Sequence, residues 1–467
     1  MKAVEPSDQL FLFIERRQQP MHVGGLQLFS LPEGAGPKFV LDLVEQLRAF
    51  RHPSPPFNKR LVSRFGASFW EEDTELDLDL HLRHGALPQP GRVRELLSLV
   101  SAEHSILLDR ERPLWETHLI EGLSQGRFAM YTKVHHGLMD GISVMRLGMQ
   151  ALSHDPNERN MPPFWALPRK RRIRDAEANV GFYTDTTARY LGATPAVLRE
   201  AFNVFVRAQR NPDSVGLYAA PHCKLSEKIT GSRRVACQSY SLTRVKAIAK
   251  VFGATVNDVV LGVCSSALRG YLMNQNALPD KPLIAMVPMS IRKDDSAGGN
   301  QFAVILTNLG THLSDPVERL RVIKNSVDEA KTRYAQMNNE ESSTFSAMAL
   351  APVLYNLFTG LRPKWMSFNV VISNVPGPEK PLYMNGARLE GMYPVSIVHD
   401  HNALNITFTS YRDQLEFGVV GCRRTLPSMQ RLLDHIERAI TEFERAAGLG
   451  GKSTPVENAT KWSFLDA

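Results

Sequence analysis

Residues 127–141 read Arg127-Phe128-Ala129-Met130-Tyr131-Thr132-Lys133-Val134-His135-His136-Gly137-Leu138-Met139-Asp140-Gly141, and the reading of this stretch decides the fold. Arg127 to Val134 alternates in the manner of a β-strand. His135-His136-Gly137 and Asp140-Gly141 are turn residues, and beyond them Ile142, Met145, Met149 and Leu152 recur at helical spacing. A strand that passes through a short polar turn into a helix is an α/β unit. Such connections commonly carry chemistry on a rigid scaffold.

The turn holds the residue types that acyl or proton transfer needs. An imidazole of near-neutral pKa accepts a proton from a hydroxyl or thiol as that group attacks an acyl carbon. Asp140 suits a cation partner or the N-cap of the following helix. Gly137 and Gly141 leave space for a substrate to approach the backbone. The residues alone leave a second reading open, in which paired histidines at a strand end are simply polar surface. A metal centre is not expected: adjacent side chains on extended backbone diverge, and nothing links His399 and His401 to the first pair. The GxSxG elbow, the P-loop, HExxH and a strand-to-helix GxGxxG are absent, which argues against serine hydrolases, NTPases, zinc proteases and dinucleotide enzymes.

Outward from the turn, residues 1–155 read as a first α/β unit, with a strand over Val23–Phe29 and an amphipathic helix over Lys38–Phe50 facing inward through Leu41, Val44 and Leu47. Residues 156–225 read as a linker, broken by Pro156, Pro162, Pro163 and Pro168, with a basic cluster over 169–174 and a helical pattern over Ala196–Arg207. Residues 226–447 read as a second α/β unit. There a capping box at Thr255–Asp258 opens a helix through Tyr271, and Leu283–Ile291, Phe302–Leu309 and Phe368–Val375 read as strands. Leu320, Ile323, Val327 and Ala330 face inward on a helix begun by Ser314-Asp315-Pro316. A hairpin follows over Ala403–Cys422, then a last helix over Pro427–Ala447 and a tail over 448–467. Ala347–Leu361 is the most lipid-like stretch, too short to span a bilayer and interrupted by Pro352.

The chain has 467 residues, 43% hydrophobic and 22% charged, a globular balance that argues against disorder, collagen and coiled coil. Lys and Arg number 55 against 48 acidic residues, so the net charge is +7 and the pI about 9.2. That excess suits an anionic cofactor or an anionic membrane surface as readily as a nucleic acid. Cys223, Cys237, Cys264 and Cys422 lack CxxC spacing, so no zinc ribbon or disulfide framework is expected. The opening residues lack the apolar core of a secretory signal, and the expected location is cytoplasmic.

The HHxxxDG pattern after a strand resembles the active-site motif of the CoA-dependent acyltransferase superfamily. Gln19-Pro20-Met21-His22-Val23-Gly24-Gly25, Pro113-Leu114-Trp115-Glu116, Asn257-Asp258 and Ser373-Asn374-Val375-Pro376-Gly377-Pro378 narrow that resemblance to the bacterial wax ester synthase/diacylglycerol acyltransferase family, in order over about residues 6–447. The resemblance implies two chloramphenicol-acetyltransferase-like α/β (α+β) domains, each a mixed sheet with helices, with a tunnel at their interface. It implies His136 as general base, His135 as its support, Asp140 as structural, Asn257 as a residue ordering the site or substrate, and Arg292 as a partner for Asp140. The implied reaction moves a fatty acyl group from acyl-CoA, a co-substrate rather than a bound cofactor, to a long-chain alcohol or diacylglycerol without an acyl-enzyme. The partners implied are lipids and a membrane or lipid-droplet surface, not nucleic acid. Two other readings remain: a condensation-type enzyme fed by acyl-carrier protein, and a non-catalytic lipid-binding protein on the same scaffold.

Overall fold

The computed structural model describes residues 2–64, 67–167, 199–290 apart from 205 and 212, 302–359, 361 and 365–449. Arg292, the 169–174 basic cluster and the tail beyond 449 lie outside the described residues. The first half runs β1 (Lys2–Ala3), α1 (Pro6–Ile14), β2 (His22–Ser30), α2 (Phe39–Arg48), β3 (Lys59–Arg64), β4 (Ala67–Glu72), β5 (Leu82–Ala86), α3 (Val93–Glu103), β6 (Trp115–Leu123), β7 (Arg127–His135) and α4 (Gly141–Gln150). The second half runs β8 (Arg233–Ser241), α5 (Leu242–Phe252), α6 (Val256–Asn274), β9 (Ile284–Ser290), β10 (Phe302–Asn308), α7 (Pro316–Ala335), α8 (Asn339–Thr359), β11 (Val370–Val375), β12 (Tyr383–Met384), β13 (Ala387–Val395), β14 (Leu404–Tyr411), β15 (Gln414–Cys422) and α9 (Arg431–Ala446).

Two six-stranded mixed sheets dominate, ordered β12-β13-β2-β7-β6-β5 and β10-β9-β11-β14-β15-β8, beside a small β1-β4-β3 sheet. The first is antiparallel except for β5 along β6, and the second is parallel where β11 meets β9 and β14. The halves are interleaved: β13, far along the second half, pairs antiparallel with β2 over Val395↔Gly24 to Arg388↔Ser30. A boundary near residue 226 therefore does not separate the two sheets.

β7 is buried at every position, because both faces of its sheet are covered. Phe128, Met130 and Val134 face a core shared with α2 and α4, whereas Ala129 and Tyr131 face the larger core contributed mainly by the second half. The period-2 alternation puts His135 on the Tyr131 side. The α2 helix buries Val40, Leu43, Val44 and Leu47, while Leu41 is 45% exposed. The inward face expected through Leu41 is thus corrected by one residue, the i, i+3, i+4, i+7 set starting at Val40. Residues 199–204 and 206–210 are helical, and Val204 enters the large core. All four cysteines are unpaired. Among the described residues no single helix is long and apolar enough to cross a membrane.

Candidate active site

The site begins with the end of β7. Cross-strand register sets His135 opposite His22 on β2, and the His135 amide donates to the Leu114 carbonyl (2.9 Å). One residue on, the His136 amide donates to the Met21 carbonyl (2.8 Å). The chain then turns, with the Leu138 amide donating to the His135 carbonyl (2.9 Å). The Asp140 carboxylate N-caps α4, accepting from the Ser143 amide (2.9 Å) and the Ser143 hydroxyl (2.8 Å). Capping satisfies a helix-terminal donor that otherwise has no partner.

His135 is fully buried. The Gly137 amide donates to its Nδ1 (3.0 Å), so the ring proton sits on Nε2, which faces Glu15 Oε1 at 3.3 Å. That approach is an electrostatic contact rather than an aligned hydrogen bond. The Glu15 side chain, 2% exposed, also accepts from the Met21 amide (3.0 Å) and from Arg110 Nη2 (3.0 Å). Burial pushes the Glu15 pKa up, but His135, the Met21 amide and Arg110 together outweigh it and hold the carboxyl below its usual value.

His136 stacks on Phe11 with centroids 4.0 Å apart and planes 24° apart. Burial lowers its pKa to about 4, with Asp140 opposing the shift and His135 adding to it. The ring is therefore neutral at neutral pH, the form that accepts a proton. Behind the pair lies a buried polar relay: His22 Nε2 donates to the His104 carbonyl (3.1 Å), His104 Nε2 donates to the Ser396 carbonyl (3.1 Å), and the Tyr131 hydroxyl donates to His104 Nδ1 (2.8 Å). Burial lowers the His104 pKa to about 3.

An apolar pocket lies between α4 and the face of the first sheet that bears Met130 and Val134. Met130, Val134, Met139, Val144, Met145 and Met392 line it, with Gln27 and Thr132 as polar wall groups. Val134 directly precedes the histidine pair and Met139 lies inside the motif, so the cavity abuts the turn.

His135, His136, Gly137, Asp140 and Gly141 are thus brought together. A Cβ on Gly137 would meet the Asp8 carbonyl at 3.0 Å and His135 Nδ1 at 3.1 Å, so the space beside this glycine is filled by the protein rather than kept for a substrate. Asn257 stands apart, in the first turn of α6, where Thr255 and Asp258 form the capping box (2.9 and 3.1 Å). No hydrogen bond joins Asn257 to His136 among the described residues. Pro113–Glu116 is structural: Leu114 supports the His135 amide, and the buried Trp115 donates to the Phe57 carbonyl (2.8 Å). Glu15 and Phe11 are the contributors that sequence reasoning missed. Glu15 sits in Ile14-Glu15-Arg16-Arg17, which reads as a surface charge run, and no local pattern points it at His135.

Family models decide the kinship. The description "Wax ester synthase/diacylglycerol acyltransferase catalytic domain" matches residues 4–260, and "WS/DGAT C-terminal domain" matches 298–444. The chain belongs to the wax ester synthase/diacylglycerol acyltransferase family. This family member is 49% identical to the O-acyltransferase WSD of Acinetobacter baylyi, over 95% of this chain and 97% of the relative. It is 44% identical to a probable diacylglycerol O-acyltransferase of Mycobacterium tuberculosis, over 96% of this chain and all of that protein. The solved wax ester synthase/diacylglycerol acyltransferase from Marinobacter aquaeolei VT8 superposes with a TM-score of 0.80 at 52% identity, over 96% of this chain and 100% of that one. A starter condensation domain of rhizomide synthetase shares the fold (TM-score 0.60, 11% identity, 96% of this chain and 94% of that one). The chain is an acyltransferase of two sheet-rich α/β lobes.

Proposed function

We propose that this family member transfers a long-chain fatty acyl group from acyl-CoA to a long-chain alcohol, giving a wax ester, or to diacylglycerol, giving triacylglycerol. The observation that carries this reading is a neutral, half-buried imidazole in a turn whose flanking residues Val134 and Met139 line an apolar pocket. His136 takes the proton of the acceptor hydroxyl as its oxygen forms the new C–O bond with the thioester carbon. The tetrahedral intermediate then collapses, the C–S bond breaks, and the CoA thiolate receives the proton from the imidazolium. His135, held between Gly137 and Glu15, fixes the turn, and Asp140 anchors it to α4.

Direct transfer needs no thiol nucleophile: burial pushes Cys264 up to about 12 and Cys237 higher still, while Cys422, lowered to about 7, is engaged by Thr230 and Thr425. The methionine-rich cavity suits a flexible acyl chain, which such adaptable side chains accommodate without strict length selection. The first lobe carries the motif and the second closes the site. Peripheral association with a membrane or lipid inclusion is supported by large apolar side chains exposed at the C-terminal end of α1, in the last turns of α8 and beyond it: Phe13, Tyr355, Leu361 and Trp365. α1 and α8 themselves pack together through Leu10, Phe11, Val353 and Leu354.

The test is purified protein with palmitoyl-CoA and either hexadecanol or 1,2-dioleoylglycerol, scored by thiol release and by the ester formed. Stoichiometric ester and thiol are expected. Activity with acyl-carrier protein but none with acyl-CoA, or thiol release without ester, would overturn the reading.

A further inference from the structure

Gln19 opens the Gln19-Pro20-Met21-His22-Val23-Gly24-Gly25 stretch, and the mechanism gives it no part. The residue is 3% exposed. A side-chain amide is costly to bury unless its polar ends are hydrogen-bonded, and both ends of this one are. Nε2 donates to the Ile14 carbonyl (3.1 Å), and Oε1 accepts from the Asp400 amide (2.9 Å). Two backbone bonds between Arg16 and Gln19 (2.7 and 3.2 Å) close the turn that carries the side chain.

The first partner leads to the reaction centre. Ile14 is the last residue of α1, and its carbonyl is one that the helix has no N–H left to satisfy. That carbonyl belongs to the planar peptide joining Ile14 to Glu15, so fixing it fixes the backbone from which the Glu15 side chain springs. Glu15 faces His135 Nε2 at 3.3 Å and accepts from the Met21 amide, while the Met21 carbonyl holds the His136 amide.

The second partner leads to the other half of the chain. Asp400 lies on the crossover 396–403, where the chain leaves β13 of the first sheet for β14 of the second. His399 and Asn402 exchange backbone hydrogen bonds across this tight turn (3.2 and 2.9 Å), and Asp400 Oδ1 accepts from the Ile229 amide (2.9 Å). At the start of β8 the buried Arg233 reaches back, its Nη2 donating to the Gln18 carbonyl (2.7 Å). Residues 18 and 19 are thus gripped by the crossover and by an edge strand of the second sheet.

We propose that Gln19 is a positioning residue for acyl transfer: its amide ties the crossover between the two sheets to the Ile14–Glu15 peptide and thereby sets the Glu15–His135 contact. The proposal rests on the reaction read above. Among the described residues Gln19 has no hydrogen bond to His135 or His136, so its effect passes through Glu15.

A double-mutant cycle on kcat with palmitoyl-CoA and hexadecanol tests this, using wild type, Gln19→Met, Glu15→Gln and the double variant, with circular dichroism and urea midpoints for each. Gln19→Met keeps the side-chain length and removes both hydrogen bonds. It is expected to lower kcat about ten-fold with little change in KM, because a small displacement of catalytic groups is costly. The double variant is expected to match the slower single variant within about two-fold, since both changes disturb one contact. Losses that multiply to about a hundred-fold would show Gln19 acting by another route and overturn the proposal. An unchanged kcat in Gln19→Met, with only the urea midpoint lowered, would overturn it as well. Gln19→Asn, one methylene too short to span both partners, replaces Gln19→Met with the same expectations should that variant fail to fold. Ester formed by wild type is read in the same assay: its absence overturns the acyl-transfer reading and the proposal together, whereas a failed cycle leaves acyl transfer standing.

Discussion

Burial sets the chemistry of His136. Half-buried and packed on Phe11, the ring resists protonation until about pH 4. The sign follows directly: a depressed pKa preserves the base form at neutral pH, so the acidic limb of kcat/KM falls near pH 4 rather than near the ordinary histidine value of about 6.5. Asp140→Asn keeps a capping side chain but removes the charge that favours the imidazolium, and the limb moves lower still. A pH profile of kcat/KM checks both; a limb at the ordinary value, or one that rises in the variant, contradicts this electrostatic picture. Glu15 acts through His135 and is a positioning residue. Glu15→Gln removes the charge facing Nε2 and is expected to lower kcat about ten-fold with little change in KM, since small misplacement of a catalytic turn is costly. Steady-state kinetics with hexadecanol measure this, and an unchanged kcat would show that Glu15 only fills space.

At the scale of elements, the β7–turn–α4 unit is a local device, and that is why the sequence displays it. Alternation, a capping aspartate and helical spacing all act within about twenty residues, as do the Thr255–Asp258 capping box and the 404–422 hairpin, closed by Arg412 at φ 55°. What stayed hidden is long-range. No local pattern announces that β13 pairs with β2, because strand partners are chosen by tertiary packing rather than by sequence proximity. The same limit hid Glu15, brought to His135 across 120 residues, and among the described residues Asn257 makes no hydrogen bond to the histidine pair. The turn's two glycines differ in a way that spacing does not reveal. Gly137→Ala pushes a methyl group against the Asp8 carbonyl and the His135 ring, and a loss of about 1–3 kcal/mol is expected. Gly141→Ala meets only Val23 at 3.7 Å and should fall within about 0.5 kcal/mol of wild type. Urea denaturation of the two variants tests the contrast, and equal losses would contradict it.

For the whole molecule, the buried histidines couple folding to acid. His22, His104 and His136 all have folded-state pKa values held down by burial, while the unfolded chain titrates near 6.5. Below about pH 6.5 the unfolded state binds protons that the native state refuses, so stability falls as pH drops toward 4. Glu416 opposes this: burial raises its pKa to about 8, so the native state keeps a proton that the unfolded chain releases above about pH 4.5. His81 and His399 are held down as well, so the depressed histidines outnumber the one raised carboxyl and stability falls on balance from pH 6 to pH 5. Urea midpoints at those two values measure it, and a flat profile would mean that the histidines are more hydrated than their packing indicates. Both lobes enclose the same centre, the first sheet completed by a strand from the second half and the largest core spanning the two. Whether that enclosure serves a single imidazole is decided by one comparison: thiol release from palmitoyl-CoA in the presence of hexadecanol, for wild type and His136→Ala, with circular dichroism as the folding control. General-base catalysis by His136 predicts a loss of about 10²–10⁴-fold in a folded variant. A folded His136→Ala protein that turns over within a few-fold of wild type would contradict it.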